Sequence, residues 1–216
     1  MLRAIFIVFA TSVVVFTILM ATKVIPYLSF EHNINFLTTK SDEILSQPVF
    51  RLSFYVHIVS SWFVMALGIG QFVPQILKKY PSWHKQLGIF YVLLILVFAS
   101  PSGLGLALFA NGGLSAKVGF IMQCAVWWLT TYTAFYEAKQ KRWQRHVEWM
   151  MRSYAVTLAA MSLRLYSFGM VYLLHTKPIE TYLTVVWLSW IGNLVIVEVL
   201  IYVGVGKKLF DKLQNK

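Results

Sequence analysis

Acidic residues are scarce in this sequence: eight Asp and Glu in 216 residues, against nineteen Lys and Arg. Charged residues of both signs make up only 12%, and a soluble domain of this length carries about twice that fraction. The shortage argues against an ordinary water-soluble fold. Cysteine is nearly absent as well. Cys124 stands alone within an apolar run, so no intramolecular disulfide is possible. A small hydrophobe filling space is its expected role. The chain has no Cys-x-x-Cys-His, His-Glu-x-x-His, phosphate-loop or Gly-x-Ser-x-Gly stretch, so the standard enzyme signatures are missing.

Apolar runs fill the space that charge leaves. Hydrophobic residues make up 58% of the chain, and six runs approach the roughly 20 residues that a bilayer core requires. They cover residues 4–21, 48–77, 87–110, 115–136, 148–174 and 181–205. The expected fold class is therefore all-α: a single integral membrane domain over 1–216, built as a bundle of about six transmembrane helices. The first run also has the outline of a cleaved signal peptide. It is long for one, so a retained first helix is expected. Residues 24–47 form the one long polar connection, and Pro101-Ser102-Gly103 predicts a kink in the third run.

The net charge of +11 raises nucleic acid as a partner until the cations are located. Most fall in alternate connections, at Lys78, Lys79, Lys85, the stretch 139–145 and the C-terminal tail. That bias is the positive-inside pattern, which puts both termini in the cytoplasm and removes nucleic acid as a partner. The lipid bilayer is the expected environment, in a cell membrane and most simply the bacterial cytoplasmic membrane. A membrane protein partner or a second copy of the chain is compatible with this reading.

The residues that stand out chemically are polar groups in or beside apolar runs, which are costly in lipid and face the bundle interior. His57 lies in the second run, with Ser60, Ser61, Gly68 and Gln71 on its helical face. The same stripe also suits plain helix packing. His84 opens the third run and His146 the fifth, beside Trp83 and Trp149. Two neutral imidazoles from different helices suit axial ligation of a b-type haem, another metal site, or simple interfacial placement. Arg164 lies eighteen residues beyond His146, five helical turns or roughly 27 Å on one continuous face. With no intramembrane carboxylate opposite it, it is expected to face backbone carbonyls, water or an anionic ligand group, for which a haem propionate, a quinone carbonyl or a lipid phosphate would each serve. Arg152 is placed either to join that set or to snorkel to the interface.

At these same residues the chain resembles the DUF2306 group of multi-pass membrane proteins. The marks are His57, then His84-Lys85-Gln86-Leu87-Gly88, then His146-Val147-Glu148-Trp149-Met150-Met151-Arg152-Ser153-Tyr154-Ala155, closing on Leu163-Arg164. The third stretch is the specific one, and the similarity covers about residues 52–168. Lys85 stands where the family often has arginine and Ile89 where a second basic residue is usual, which puts a two-arginine clamp there in doubt. The resemblance singles out His57, His84, His146, Arg152 and Arg164 as a set and implies no particular reaction.

Three functions follow as expectations. The first is binding of a redox cofactor, b-type haem or quinone, through His57, His84, His146, Arg152 and Arg164, with His84 and His146 as the ligands of any metal. The second is a small-molecule or proton-coupled transporter, with the Pro101 break as a gate. The third is a non-catalytic membrane subunit or assembly factor.

Overall fold

In the computed structural model, residues 2–31 and 33–214 are described, and among them there is no strand. Helix α1 (Leu2–Val24) is followed by two short 3₁₀ turns, Ile25–Ser29 and Asn35–Thr39, and by α2 (Asp42–Ser46). Then come α3 (Pro48–Gly70), α4 (Pro74–Lys79) and α5 (Pro81–Leu93). Helix α5 runs through a π-helical turn, Leu94–Ala99, into α6 (Ser100–Ala107). The rest of the bundle is α7 (Gly113–Lys139), α8 (Trp143–Thr157), α9 (Ala159–Leu174), α10 (Pro178–Tyr202) and α11 (Val205–Gln214). Proline opens α3, α4, α5 and α10, where its missing N–H leaves no helical bond unmade.

Among the described residues, four helical stretches are long and apolar enough to cross a membrane: Phe6–Ser29, Pro48–Gly70, Pro81–Ala107 and Pro178–Tyr202. The bent pair α8 and α9 makes a fifth if counted as one span. The run at 115–136, expected as a sixth, forms the 27-residue α7, but its tryptophans, tyrosines and threonines keep its mean hydropathy below that of the others.

Several sequence expectations change. The fifth run is not one straight helix: α8 and α9 meet at Leu158 with a bend of 48°. Asn193 of α10 causes it. Its Nδ2 donates to the Ala155 carbonyl at 2.9 Å and its Oδ1 accepts from Ser162 Oγ at 2.8 Å. A side chain inserted into the i to i−4 ladder kinks a helix, and the five-turn face from His146 to Arg164 is interrupted there. The basic stretch 78–85, read as a loop, is helical except at Tyr80, where α4 ends and Pro81 starts α5. The expected Pro101 kink becomes a π-helical turn just before it, and Pro81–Ala107 remains one span. Ser100 N–H reaches back to Ile95. Pro101 has no N–H to offer, and the Leu96 carbonyl accepts the indole N–H of Trp128 at 3.3 Å instead.

The polar connection is an ordered cap. Tyr27, Leu37 and Leu45 pack on Phe50 and Phe54 of α3, Tyr27 Oη accepts the Phe36 N–H, and Ser41 Oγ caps α2. The main core lies deeper, around Val64, Tyr91, Ile95, Ala99, Trp127 and Tyr154. His32 of the polar connection and Lys216 of the tail lie outside the described residues.

Candidate functional site

The singled-out residues divide between two cavities. His84 and His146 line one of about 570 Å³, and His57 and Arg164 line another of about 410 Å³. Both fall in the size range of small-molecule sites.

The cavity at the His84 end is walled by α3, α5, α7 and α8, and by Leu209 and Phe210 of α11. Helix α11 was read only as a basic tail, yet Val205 and Leu209, one helical turn apart, give it an apolar face to lay on the bundle. His146 Nδ1 lies 2.8 Å from the Ala134 carbonyl. A carbonyl only accepts, so Nδ1 carries the proton and Nε2 keeps its lone pair. Metal-binding histidines are oriented in the same way. His84 stands close enough to His146 for their charges to interact, and its Nδ1 is buried without a hydrogen-bond partner. Gln71, across the cavity on the end of α3, has a buried Nε2 that is equally unpartnered. Its Oε1 passes over Gly88, where a Cβ would sit 3.0 Å from it. Among the described residues no group of three or more His, Cys, Asp or Glu converges as a metal site.

The second cavity lies under the cap, between α1, α3, α6, α7 and α9. His57 Nδ1 donates to the Ala99 carbonyl at 2.9 Å, and its Nε2 faces Ser61 Oγ at 3.5 Å. Gly103 makes room for the imidazole: a Cβ there would lie 3.1 Å from His57 Cε1 and 2.8 Å from Cys124 Sγ. Arg164 Nη1 donates to Ala160 of its own helix at 2.8 Å, and its guanidinium lies 5.9 Å from the Phe16 ring of α1. Lys40, unnoticed in the sequence, is 8% exposed and lines the same space. Its Nζ donates to Phe109 O at 2.6 Å and Asn111 Oδ1 at 2.8 Å. Burial, and then the charge of Lys117, hold its ammonium below the usual lysine range.

Arg152 lines neither cavity. Its fork binds Glu198 of α10 at 2.6 and 2.8 Å, and it stacks on Trp149 at 4.6 Å. Between the cavities lies a knot of hydroxyls. Tyr91 Oη is 3.0 Å from both Ser153 Oγ and Thr157 Oγ1, and Thr131 Oγ1 is 2.7 Å from Ser153 Oγ. Trp127 Nε1 also donates to Thr157. Nothing in the sequence flagged Tyr91 as the partner of Ser153 and Thr157. Glu137 was missed too: it is buried at the end of α7 and pairs with Arg142 and Arg145.

No curated protein and no solved structure gives a significant match to this chain. One family does match, over residues 54–201, which reaches past the expected limit of 168 to include most of α10 and with it Asn193 and Glu198. The chain belongs to the family described as "Predicted membrane protein (DUF2306)".

Proposed function

We propose that this membrane protein binds a quinone-type ligand in the His84–His146 cavity. One observation carries the reading: Gln71 Nε2 and His84 Nδ1 are buried, unpartnered nitrogens on residues that wall the same cavity as His146. A buried donor without a partner costs about 1–3 kcal/mol, which a ligand carbonyl would recover. Gln71 and His84 would hold ring carbonyls by donation, while His146 Nε2, its tautomer fixed by Ala134, would accept a hydroxyl proton of the reduced ring. Phe72, Phe135 and Trp143 supply flat apolar walls. When bound, the quinone supplies two-electron, two-proton chemistry; the protein's part is to orient it and manage protons at its oxygens.

Haem b is the second reading, favoured by the His146 orientation, which suits an axial ligand. It employs two imidazoles and leaves the Gln71 amide unused, so quinone accounts for more of the site.

We also propose that α7 is a sixth crossing, a reading supported by His84 at the start of α5 and His146 at the start of α8 sharing one cavity. On that reading the cation bias favours both termini and this cavity being on the cytoplasmic side.

The test is a titration of detergent-purified protein with a short-chain quinone, read by quenching of tryptophan fluorescence, alongside a visible spectrum before and after dithionite. Gln71→Leu, His84→Ala and His146→Ala are each expected to weaken binding roughly tenfold or more, the worth of one hydrogen bond to a buried ligand. Binding that is indifferent to all three sinks the quinone reading. A Soret band that disappears with His84→Ala and His146→Ala establishes haem in its place.

A further inference from the structure

The His57–Arg164 cavity has cations and no anion. Lys40 and Arg164 both line it, and among the described residues neither forms an ion pair with a carboxylate. Lys40 donates to two neutral oxygens and lies over the Phe36 ring at 5.1 Å, and Arg164 makes one bond to its own helix. Lys117 lies near enough to add its positive charge to Lys40. Lys40 is buried, and a buried cation is normally paired because an unpaired one is costly to desolvate; Arg164 is exposed on the protein's surface beside Phe16. A second polar group is also uncommitted: Gln123 lines the cavity and its Oε1 is buried without a partner.

The remaining wall is mostly apolar and favours an occupant with a hydrocarbon part over a small hydrophilic anion. It is built from side chains such as Phe50, Ile58, Trp62, Met65, Leu106 and Phe120. Arg164 stands at the α1 side of the cavity, its guanidinium over Phe16, and α1 has the smallest buried share of the candidate spans.

We propose that this cavity binds a single-chain amphiphile with an anionic head group, the head held by Lys40 and Arg164 and the acyl chain lying along the apolar wall. The chemistry is shared by a fatty carboxylate and a lysolipid phosphate. Arginine binds either head through its planar fork, and Lys40 adds a compact point charge. This site is separate from the quinone cavity and stands or falls independently of it.

The experiment uses the full chain in lipid nanodiscs and three brominated probes: a bromostearate, its methyl ester, and a bromostearoyl lysophosphatidic acid. Bromine quenches tryptophan only at short range, and Trp62 and Trp127 both line the cavity. Saturable quenching by the carboxylate, the phosphate or both is expected, and which of them binds identifies the head group. The ester is expected to bind at least about tenfold more weakly. Arg164→Gln and Lys40→Gln should each weaken the anionic probes by roughly tenfold to a hundredfold, the usual worth of a hydrogen bond to a charged group. Arg164→Lys and Lys40→Arg keep the charge and should weaken the anionic probes clearly less than the glutamine variants do, which separates lost charge recognition from lost folding. Equal quenching by acid and ester, or binding unchanged in both glutamine variants, overturns the proposal.

Discussion

The carboxamide of Asn193 on α10 holds the carbonyl of Ala155 on α8, 2.9 Å from Nδ2, in place of the amide of the next helical turn. The bond is what bends the α8–α9 span, because a carbonyl committed to a side chain no longer stitches residue 159 into the α8 ladder. Asn193→Leu keeps the volume and removes both the donor and the acceptor used by Ser162. It is expected to cost about 1–3 kcal/mol, the penalty for a buried carbonyl left unpaired, seen as a lower melting temperature in detergent. Ser162→Ala should cost less, since it removes only a donor and leaves Nδ2 in place. Equal melting temperatures for Asn193→Leu and the parent would show that the bend is set elsewhere.

That asparagine marks the limit of what pattern could reveal. The helices were legible because their apolar runs are long and proline sits at their starts. The partition of His57 and Arg164 from His84 and His146 was not, because sequence spacing assumes one straight helix from 146 to 164, and Asn193 breaks it from another element. Gln71 was visible on the His57 stripe, yet α3 is long enough to reach both cavities, and its two ends serve different ones. Lys40 and Glu137 read as loop charges, since burial by a distant segment leaves no local periodicity. Helix α11 was hidden by its own cations, Lys207, Lys208 and Lys212, which interrupt its apolar residues along the sequence.

The glycine at position 68 lets the ring of Tyr154 lie against α3, where Tyr154 Oη donates to Met65 O at 3.2 Å. A Cβ on residue 68 would overlap the Tyr154 ring itself. Gly68→Ala is expected to destabilise the bundle by about 1–3 kcal/mol through overpacking, despite the better helix propensity of alanine. Pairing it with Tyr154→Leu, which clears the clash, should restore part of the melting temperature. Two losses that simply add would mean that the residues do not compete for the same space.

Tyr91 lies at the centre of the hydroxyl knot, and each proton in the knot has a destination. Thr157 donates to the Ser153 carbonyl and Thr131 to the Trp127 carbonyl, leaving Tyr91 and Ser153 to complete the set between them. Such an arrangement locks α5, α7 and α8 together. Tyr91→Phe should therefore lower stability by about 1 kcal/mol while leaving quinone and amphiphile titrations unchanged. A loss of ligand binding without a loss of stability would recast Tyr91 as a member of a site.

Arg152, one of the residues the sequence singled out, is occupied by Glu198. Their bidentate geometry is favourable, but Glu198 is 52% exposed, so solvent or head groups screen the pair. A double-mutant cycle with Arg152→Gln and Glu198→Gln should give a coupling of no more than about 1 kcal/mol. Neither variant should alter binding at the two cavities. A tenfold loss of quinone or amphiphile affinity in Arg152→Gln would return Arg152 to the ligand-binding set.

Lys40 predicts how stability follows pH. Its folded-state pKa lies below the ordinary lysine value of 10.5, because burial and then Lys117 disfavour the charge. Between the two pKa values the unfolded chain holds a proton that the folded chain has released, so stability rises with pH through that window. The gain is complete above the unfolded value and is lost as pH falls through the folded one. Melting temperatures of Lys40→Met should lack this alkaline rise, whatever the offset caused by losing the bonds to Phe109 and Asn111. A bound anion acts in the opposite direction, favouring the ammonium and drawing its pKa back up. Saturating the parent with bromostearate should therefore flatten the rise, and its methyl ester should leave it intact. If the rise persists in Lys40→Met, another group carries the pH dependence.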